Sequence, residues 1–441
     1  MARRIFLVTG AFLFGTAMWI WVQAIAIPHQ HAEADAKGAP RGNLSDLYPR
    51  WLGARELLLH GRDPYQDDIT REIQIGYYGR VLDPSRPNDP KDQQAFAYPV
   101  YVVLVLAPSV KLPFETVHKW VFWLFTLLTA VSVPLWLHTL GWRVSPSARI
   151  AWMLLTLSCF PAVQGLKLQQ LTVLVAAIIA AAMSAVAQRR LVLAGVLLAL
   201  ATIKPQLVLL LMLWLCLWAI GQWRARQRLL WSFGFTVAVM ILAGEWLLPG
   251  WIREFRGAMA SYYRYTGGGT SVLDVLLTKT VGRVGSVVMV VTLFWFAWKK
   301  RRTAETTAEF WWMFCFVMAT TLLVIPTFAP YNQLLLLPAC MIFLRGIGNL
   351  WRGGRLRRFF VAVTATSMFW SYPAAAGLVI ALLFLPAARV QESWRLPFYS
   401  IFAIPVTIYA TLLAAGKDLC SSKAGRLHHE SPILQPNTTA E

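Results

Sequence analysis

"IFLVTGAFLFGTAMWIWVQAIAI", residues 5–27, is an unbroken apolar run behind two arginines, Arg3 and Arg4. At about 1.5 Å per residue, a helix of this length clears the roughly 30 Å hydrocarbon core of a bilayer. A secretory leader has a shorter apolar core and a clean small-residue cleavage site. The run is therefore expected to stay in place as the first transmembrane helix (1–27), with a cleaved leader as the alternative reading. The arginines at its start put the N-terminus on the cytoplasmic side.

The rest of the chain agrees with this reading. Of 441 residues, 57% are hydrophobic and only 14% charged, with a mean hydropathy of +0.53, whereas about 25% of an average soluble domain is charged. A dozen further apolar runs, from 97–111 to 396–415, are separated by short polar joints. The expectation is an all-α polytopic membrane protein of roughly 10–13 transmembrane helices, some broken at internal prolines. It divides into the first helix, a polar outer loop at 28–96, a multi-span bundle at 97–416 with a second outer loop at 250–283, and a polar, disordered tail at 417–441.

Charge sets the orientation. Arg189 and Arg190, "RARQR" at 224–228, "KKRR" at 299–302 and "RGIGNLWRGGRLRR" at 345–358 are basic joints almost without acids, as cytoplasmic loops are. Segment 28–96 instead holds eleven of the 21 acidic residues against nine basic ones, which suits the outer face. For Arg143 and Arg149 to fall inside, one run before residue 190 must fail to cross. The net charge of +20 thus reflects topology. It makes membrane lipids the natural counter-ions and argues against nucleic acid as a partner, since no folded surface gathers the basic residues. The five cysteines are scattered and show no metal or disulfide pattern. His29 and His31 near Glu33 and Asp35 lack further ligand spacing, so no metal site is assigned.

Within the outer loop, "NLSDLYPRWLGARELLLHGRDPYQDD", residues 43–68, mixes acids, bases and aromatics densely. Leu44, Leu47, Tyr48, Trp51, Leu52, Leu58 and Leu59 recur at helical spacing. This predicts an amphipathic helix on the outer membrane surface, with Tyr48 and Trp51 at headgroup level and Gly61 as a left-handed cap before Pro64. A second surface helix is expected at 67–80. Asp46 has two ordinary readings here, a helix N-cap or an i,i+4 partner of Arg50, alongside a catalytic one.

"SDLYPRWLGARELLLHGRDPYQ", "FAYPVYVVLVLAPSVKLP", "LKLQQLTVLVAAIIAAAM", "LAGVLLALATIKPQLVLLL" and "PTFAPYNQLLLLPA" occur in this order over about residues 40–345. Together they resemble glycosyltransferase family 87, of the GT-C superfamily of membrane-embedded transferases. That family includes polyprenyl-phosphate-mannose-dependent α-mannosyltransferases. The resemblance implies transfer of a sugar, mannose first among candidates, from a polyprenyl-phosphate carrier to a glycolipid, glycan or protein acceptor on the outer face of the cytoplasmic membrane. The absence of a glycine-rich dinucleotide fingerprint agrees with a lipid-linked donor.

The family's early acidic residue matches Asp46. In an inverting transfer one carboxylate suffices as general base, because phosphate is a good leaving group. Asp63, in a turn-forming Asp-Pro pair, is the reserve, and Tyr65 and Tyr98 stand beside these motifs as sugar or acceptor contacts. Lys204, in "ATIKPQ", sits between apolar runs, where an ammonium either snorkels or binds something; the family's similar Lys-Pro motif implies the donor phosphate. Arg264 and Arg283, around the glycine triplet 267–269, are further phosphate candidates. In that loop Gly269, Thr270 and Ser271 stand where the family commonly has an Asn-Gln-Ser-like motif. Tyr331 and Asn332 replace a frequent family histidine and remain sugar-binding candidates, as does Gln170 near the family's Gly-Gln-Asn type motif. No cofactor is assigned, and divalent-ion dependence is open. A polytopic transporter or a non-catalytic assembly protein is the competing class, although no repeated halves are evident.

Overall fold

The computed structural model describes residues 2–42, 45–265, 269–326 and 328–421. Among them there are helices and no strands. The chain is a polytopic membrane protein.

The first apolar run forms α1 (Ala2–Trp21), continues through a π-helical turn at Val22–Ala26, and runs on as α2 (Ile27–Ala36), so the helix outlasts the expected end at residue 27 by more than two turns. The outer segment then builds α3 (Leu47–His60) and α4 (Asp67–Tyr78). Run 97–111 yields only α5 (Val102–Leu106) and a 3-10 turn at Ala107–Ser109. Five helical residues cover about 7.5 Å, so this is a run before residue 190 that does not cross.

The bundle proper is α6 (Phe114–Thr139), α7 (Pro146–Ser158), α8 (Phe160–Lys167), α9 (Leu171–Ala187), α10 (Leu191–Leu200), α11 (Pro205–Gly221) and α12 (Trp223–Leu247). After α13 (Trp251–Tyr265) and α14 (Val272–Leu276) it resumes with α15 (Lys279–Lys299), α16 (Ala308–Val324), α17 (Leu337–Trp351), α18 (Arg355–Phe369), α19 (Ser371–Ala381), α20 (Ala387–Gln391) and α21 (Ala403–Ser421). Among the described residues six helical stretches are long and apolar enough to cross a membrane, and α7 with α8, bent by 57°, makes up to seven. Five other apolar helices are shorter, at 10–17 residues. The expectation of 10–13 spans counted every apolar run alike. Length divides them: a 17-residue helix reaches about 25 Å, the lower limit for a span, and α9, α11 and α16 are of that length.

Burial separates them too. The short α16 is buried continuously from Phe310 to Leu323, as a helix apolar on all sides must be. The long α12 and α15 instead expose Trp231, Phe235, Leu242, Trp246, Val287 and Val291, a surface that only lipid can cover without cost.

Two ends of the bundle can be recognised from contacts. At one, Arg189 pairs with Glu305 at 2.6 Å. Arg226 donates there to the carbonyls of Trp218 at 2.8 Å, Arg301 at 3.0 Å and Thr303 at 2.8 Å. Residues 46, 98, 170, 204 and 331 gather at the opposite ends of α9, α11 and α16.

α3 departs from the surface helix expected. Leu47, Trp51, Ala54 and Leu57 are buried, and so are Gly53 and Glu56. The Tyr48 and Trp51 rings pack on Phe114, and Trp51 Nε1 donates to the Ser109 carbonyl at 3.2 Å. A Cβ at Gly53 would stand 2.5 Å from the Phe96 ring, which explains the glycine there. The helix does end as expected, at Gly61 with φ 67°. Arg62 then ties α3 to α4 through Glu56 at 2.9 Å, Asp68 at 2.8 Å and Glu72 at 2.6 Å. Gly267, Gly268 and the tail from residue 422 lie outside the described residues, while α21 carries the chain to Ser421.

Candidate active site

Asp46 stands at the N-terminus of α3, yet its side chain makes no capping bond. Arg50, one turn on, donates Nη1 to the Asp46 main-chain oxygen at 2.6 Å and forms no ion pair with the carboxylate. Both ordinary roles for Asp46 are therefore unfilled. Its carboxylate accepts instead from Gln170 Nε2 and from the Tyr77 hydroxyl at 3.3 Å. Its main-chain N–H donates to the Leu168 carbonyl at 2.9 Å. Two segments, α4 and the joint between α8 and α9, thus hold one carboxylate, and that joint also holds its backbone. Burial and the adjacent Asp46 charge push the Tyr77 phenol well above its ordinary range, which keeps it protonated as a donor.

Gln170 precedes α9 and follows Gln169, which holds φ at 50°, a conformation few non-glycine residues adopt. Its Oε1 accepts from Lys204 Nζ at 2.8 Å. The same ammonium donates to Thr172 Oγ1 at 2.8 Å, and Thr172 in turn donates to Asn332 Oδ1 at 3.0 Å. Lys204 lies in the joint between the 3-10 turn Ala201–Ile203 and α11, where Pro205 starts the helix. It is only 6% exposed, so it does not snorkel to water. The rings of Tyr331 and Tyr98 flank it, at 5.1 Å and 5.8 Å. Arg50 stacks on Tyr98 at 4.7 Å.

Among the described residues neither Lys204 nor Arg50 has a carboxylate in ion-pair contact. Burying an ammonium without such a partner is costly, and cation–π contacts recover only about 0.5–2 kcal/mol each. Both cations line one cavity of about 350 Å³, with Tyr98, Gln170, Tyr331 and Asn332. Phe255, Met259 and Tyr262 of α13 form its apolar side. Asp46 is not in this lining and adjoins it through Gln170 and Arg50. Asp92 is a second carboxyl nearby: burial raises its pKa, against the pull of Arg50.

The other expected residues divide clearly. Asp63 builds a turn, accepting from Tyr65 N at 2.9 Å and Gln66 Nε2 at 2.9 Å. Tyr65 donates its hydroxyl to the Tyr98 carbonyl at 2.6 Å and so positions that loop. Arg264 and Arg283 are exposed and outside the cavity lining; Arg264 donates to Ser261 at 2.8 Å. The phase of α13 explains this, because Trp251, Phe255, Met259 and Tyr262 form one helical stripe and Arg264 falls off it. Ser271 caps α14, exchanging bonds with Asp274 at 3.1 Å and 2.9 Å. Gly269, at φ 60°, passes so close to the Pro326 carbonyl that a Cβ would stand 2.3 Å from its oxygen.

Sequence reasoning missed Arg50 and Thr172. Arg50 had a signal, its position one turn after Asp46, but that spacing pointed to a helix ion pair. Among the described residues no three His, Cys, Asp or Glu side chains gather as metal ligands do; His29 packs against Trp394, ring centroids 5.4 Å apart.

The described residues thus form a helical membrane bundle with a cavity, lined by Lys204 and Arg50, beside a held carboxylate. The model of glycosyltransferase family 87 matches residues 96–326, just over half of the chain. The chain belongs to that family: it is a membrane glycosyltransferase, acting between a sugar donor and an acceptor. No curated protein and no solved structure matches it.

Proposed function

We propose that the protein transfers a sugar, mannose first among candidates, from a polyprenyl phosphate to an acceptor hydroxyl on the outer face of the cytoplasmic membrane. The observation that carries this reading is a pair of cations, buried Lys204 and half-buried Arg50, without carboxylate ion-pair partners on one cavity wall. Such a site is electrostatically prepared for a phosphate group, and preorganised charge of this kind stabilises a leaving phosphate as its bond breaks. The phosphate role expected of Arg264 and Arg283 passes to Arg50.

In the reaction, Asp46 accepts the proton of the acceptor hydroxyl. The oxygen's electron pair forms a bond to the sugar's anomeric carbon from the side opposite the phosphate. The carbon–oxygen bond to phosphate breaks, polyprenyl phosphate leaves with that electron pair, and the configuration inverts. The proton on Asp46 passes to solvent to reset the base. Tyr331 and Asn332 contact the sugar. The acceptor is a glycolipid, glycan or protein.

Capture of the donor's lipid-phosphate carrier tests the reading without turnover. Purified protein in nanodiscs should retain polyprenyl phosphate, and Lys204→Met and Arg50→Gln should each weaken retention at least tenfold. Equal retention by wild type and both variants would overturn the phosphate assignment.

A further inference from the structure

We infer that Gln170 is a positioning residue that couples the phosphate-binding cation to the base. This rests on the reading above and replaces the sugar-contact role expected of Gln170. One amide spans the two charged groups: its oxygen accepts from Lys204 at 2.8 Å, and its nitrogen donates to the Asp46 carboxylate. The side chain is 5% exposed. The backbone is shaped to present it. Gln169 holds its left-handed φ of 50°, Gln170 N donates to the Gly165 carbonyl at 2.9 Å, and Asp46 N to the Leu168 carbonyl at 2.9 Å.

An amide suits this position better than a charge. A carboxylate there would satisfy Lys204 and repel Asp46, and an ammonium would do the reverse. The neutral amide supplies one acceptor and one donor. It holds Asp46 without supplying the counter-charge that would occupy Lys204 in place of phosphate. Thr172 and Asn332 extend the same chain beyond Lys204, so the ammonium is steered from two sides.

The experiment compares steady-state transfer from polyprenyl-phosphate-mannose by wild type, Gln170→Leu, Gln170→Glu, Asp46→Asn and the Asp46→Asn/Gln170→Leu double variant. Monodisperse elution in detergent is required of each protein. Gln170→Leu and Gln170→Glu should lose about 10–100-fold in kcat, with donor KM changed less than about threefold. The double variant should be no slower than Asp46→Asn alone, because a group that acts through another adds nothing once that one is gone. Gln170→Glu keeps an acceptor for Lys204 and serves if the leucine variant fails to fold. A rise in donor KM at constant kcat, or losses that multiply in the double variant, would overturn the inference while leaving the transferase reading intact. A wild type that moves no sugar from any polyprenyl phosphate would overturn both.

Discussion

At the scale of single residues, Lys204 shows how function is set against stability. Its ammonium is buried with neutral partners only at hydrogen-bond distance, and a neutral side chain of similar length avoids the cost of desolvating a charge there. Lys204→Met should therefore hold or raise the melting temperature in detergent while abolishing donor capture. A large drop in melting temperature would mark Lys204 as structural. Asp46→Asn should keep normal expression and folding and lose about 10²–10⁴-fold in transfer, the usual contribution of a general base. The sequence made Asp46, Lys204, Gln170, Tyr331 and Asn332 visible because each interrupts an apolar pattern or sits in a motif. Arg50 was hidden by its own spacing. A helix i,i+4 pattern says which residues are neighbours and not whether the partner offers its carboxylate or its carbonyl.

At the scale of elements, α13 and α3 mark the limits of sequence reading. The expectation for α3 was an amphipathic surface helix and for 250–283 an outer loop, but a stripe of apolar residues does not say whether it meets lipid or protein. For α3 it meets α5, the turn after it, and Phe114. For α13 it closes the cavity with Phe255, Met259 and Tyr262. Met259→Trp should therefore fill part of the 350 Å³ space and raise donor KM about tenfold, measured by initial rates at varied donor. Unchanged KM would place the donor elsewhere. The cap of α3 was legible because a left-handed residue before a proline has few other uses. With φ at 67° in Gly61, Gly61→Ala should cost about 1–2 kcal/mol, read as a lowered unfolding midpoint.

At the scale of the whole molecule, the basic joints and the cavity occupy opposite ends of the same helices. Arg189, Arg226 and Arg301 meet at one end, and Asp46, Gln170 and Lys204 at the other. The charge pattern alone made this arrangement legible, provided that one early run did not cross, and the five-residue α5 is such a run. The number of spans was not legible, because apolar runs that form one long helix and runs that yield only a short one, as 97–111 does, look alike in composition. With the basic joints cytoplasmic, a single cysteine at Ser85 should react with an impermeant maleimide in intact spheroplasts, and one at Gln227 only after permeabilisation. The reverse pattern would place the cavity on the cytoplasmic side.

In the proposed reaction the cavity of Lys204 and Arg50 delivers a lipid-phosphate-linked sugar to an acceptor activated by Asp46. Its most direct test is transfer of label from radiolabelled polyprenyl-phosphate-mannose to membrane acceptors by purified protein in nanodiscs. Wild type should transfer label, and Asp46→Asn should not, although that variant still captures the donor. Equal transfer by both proteins would contradict the proposed reaction.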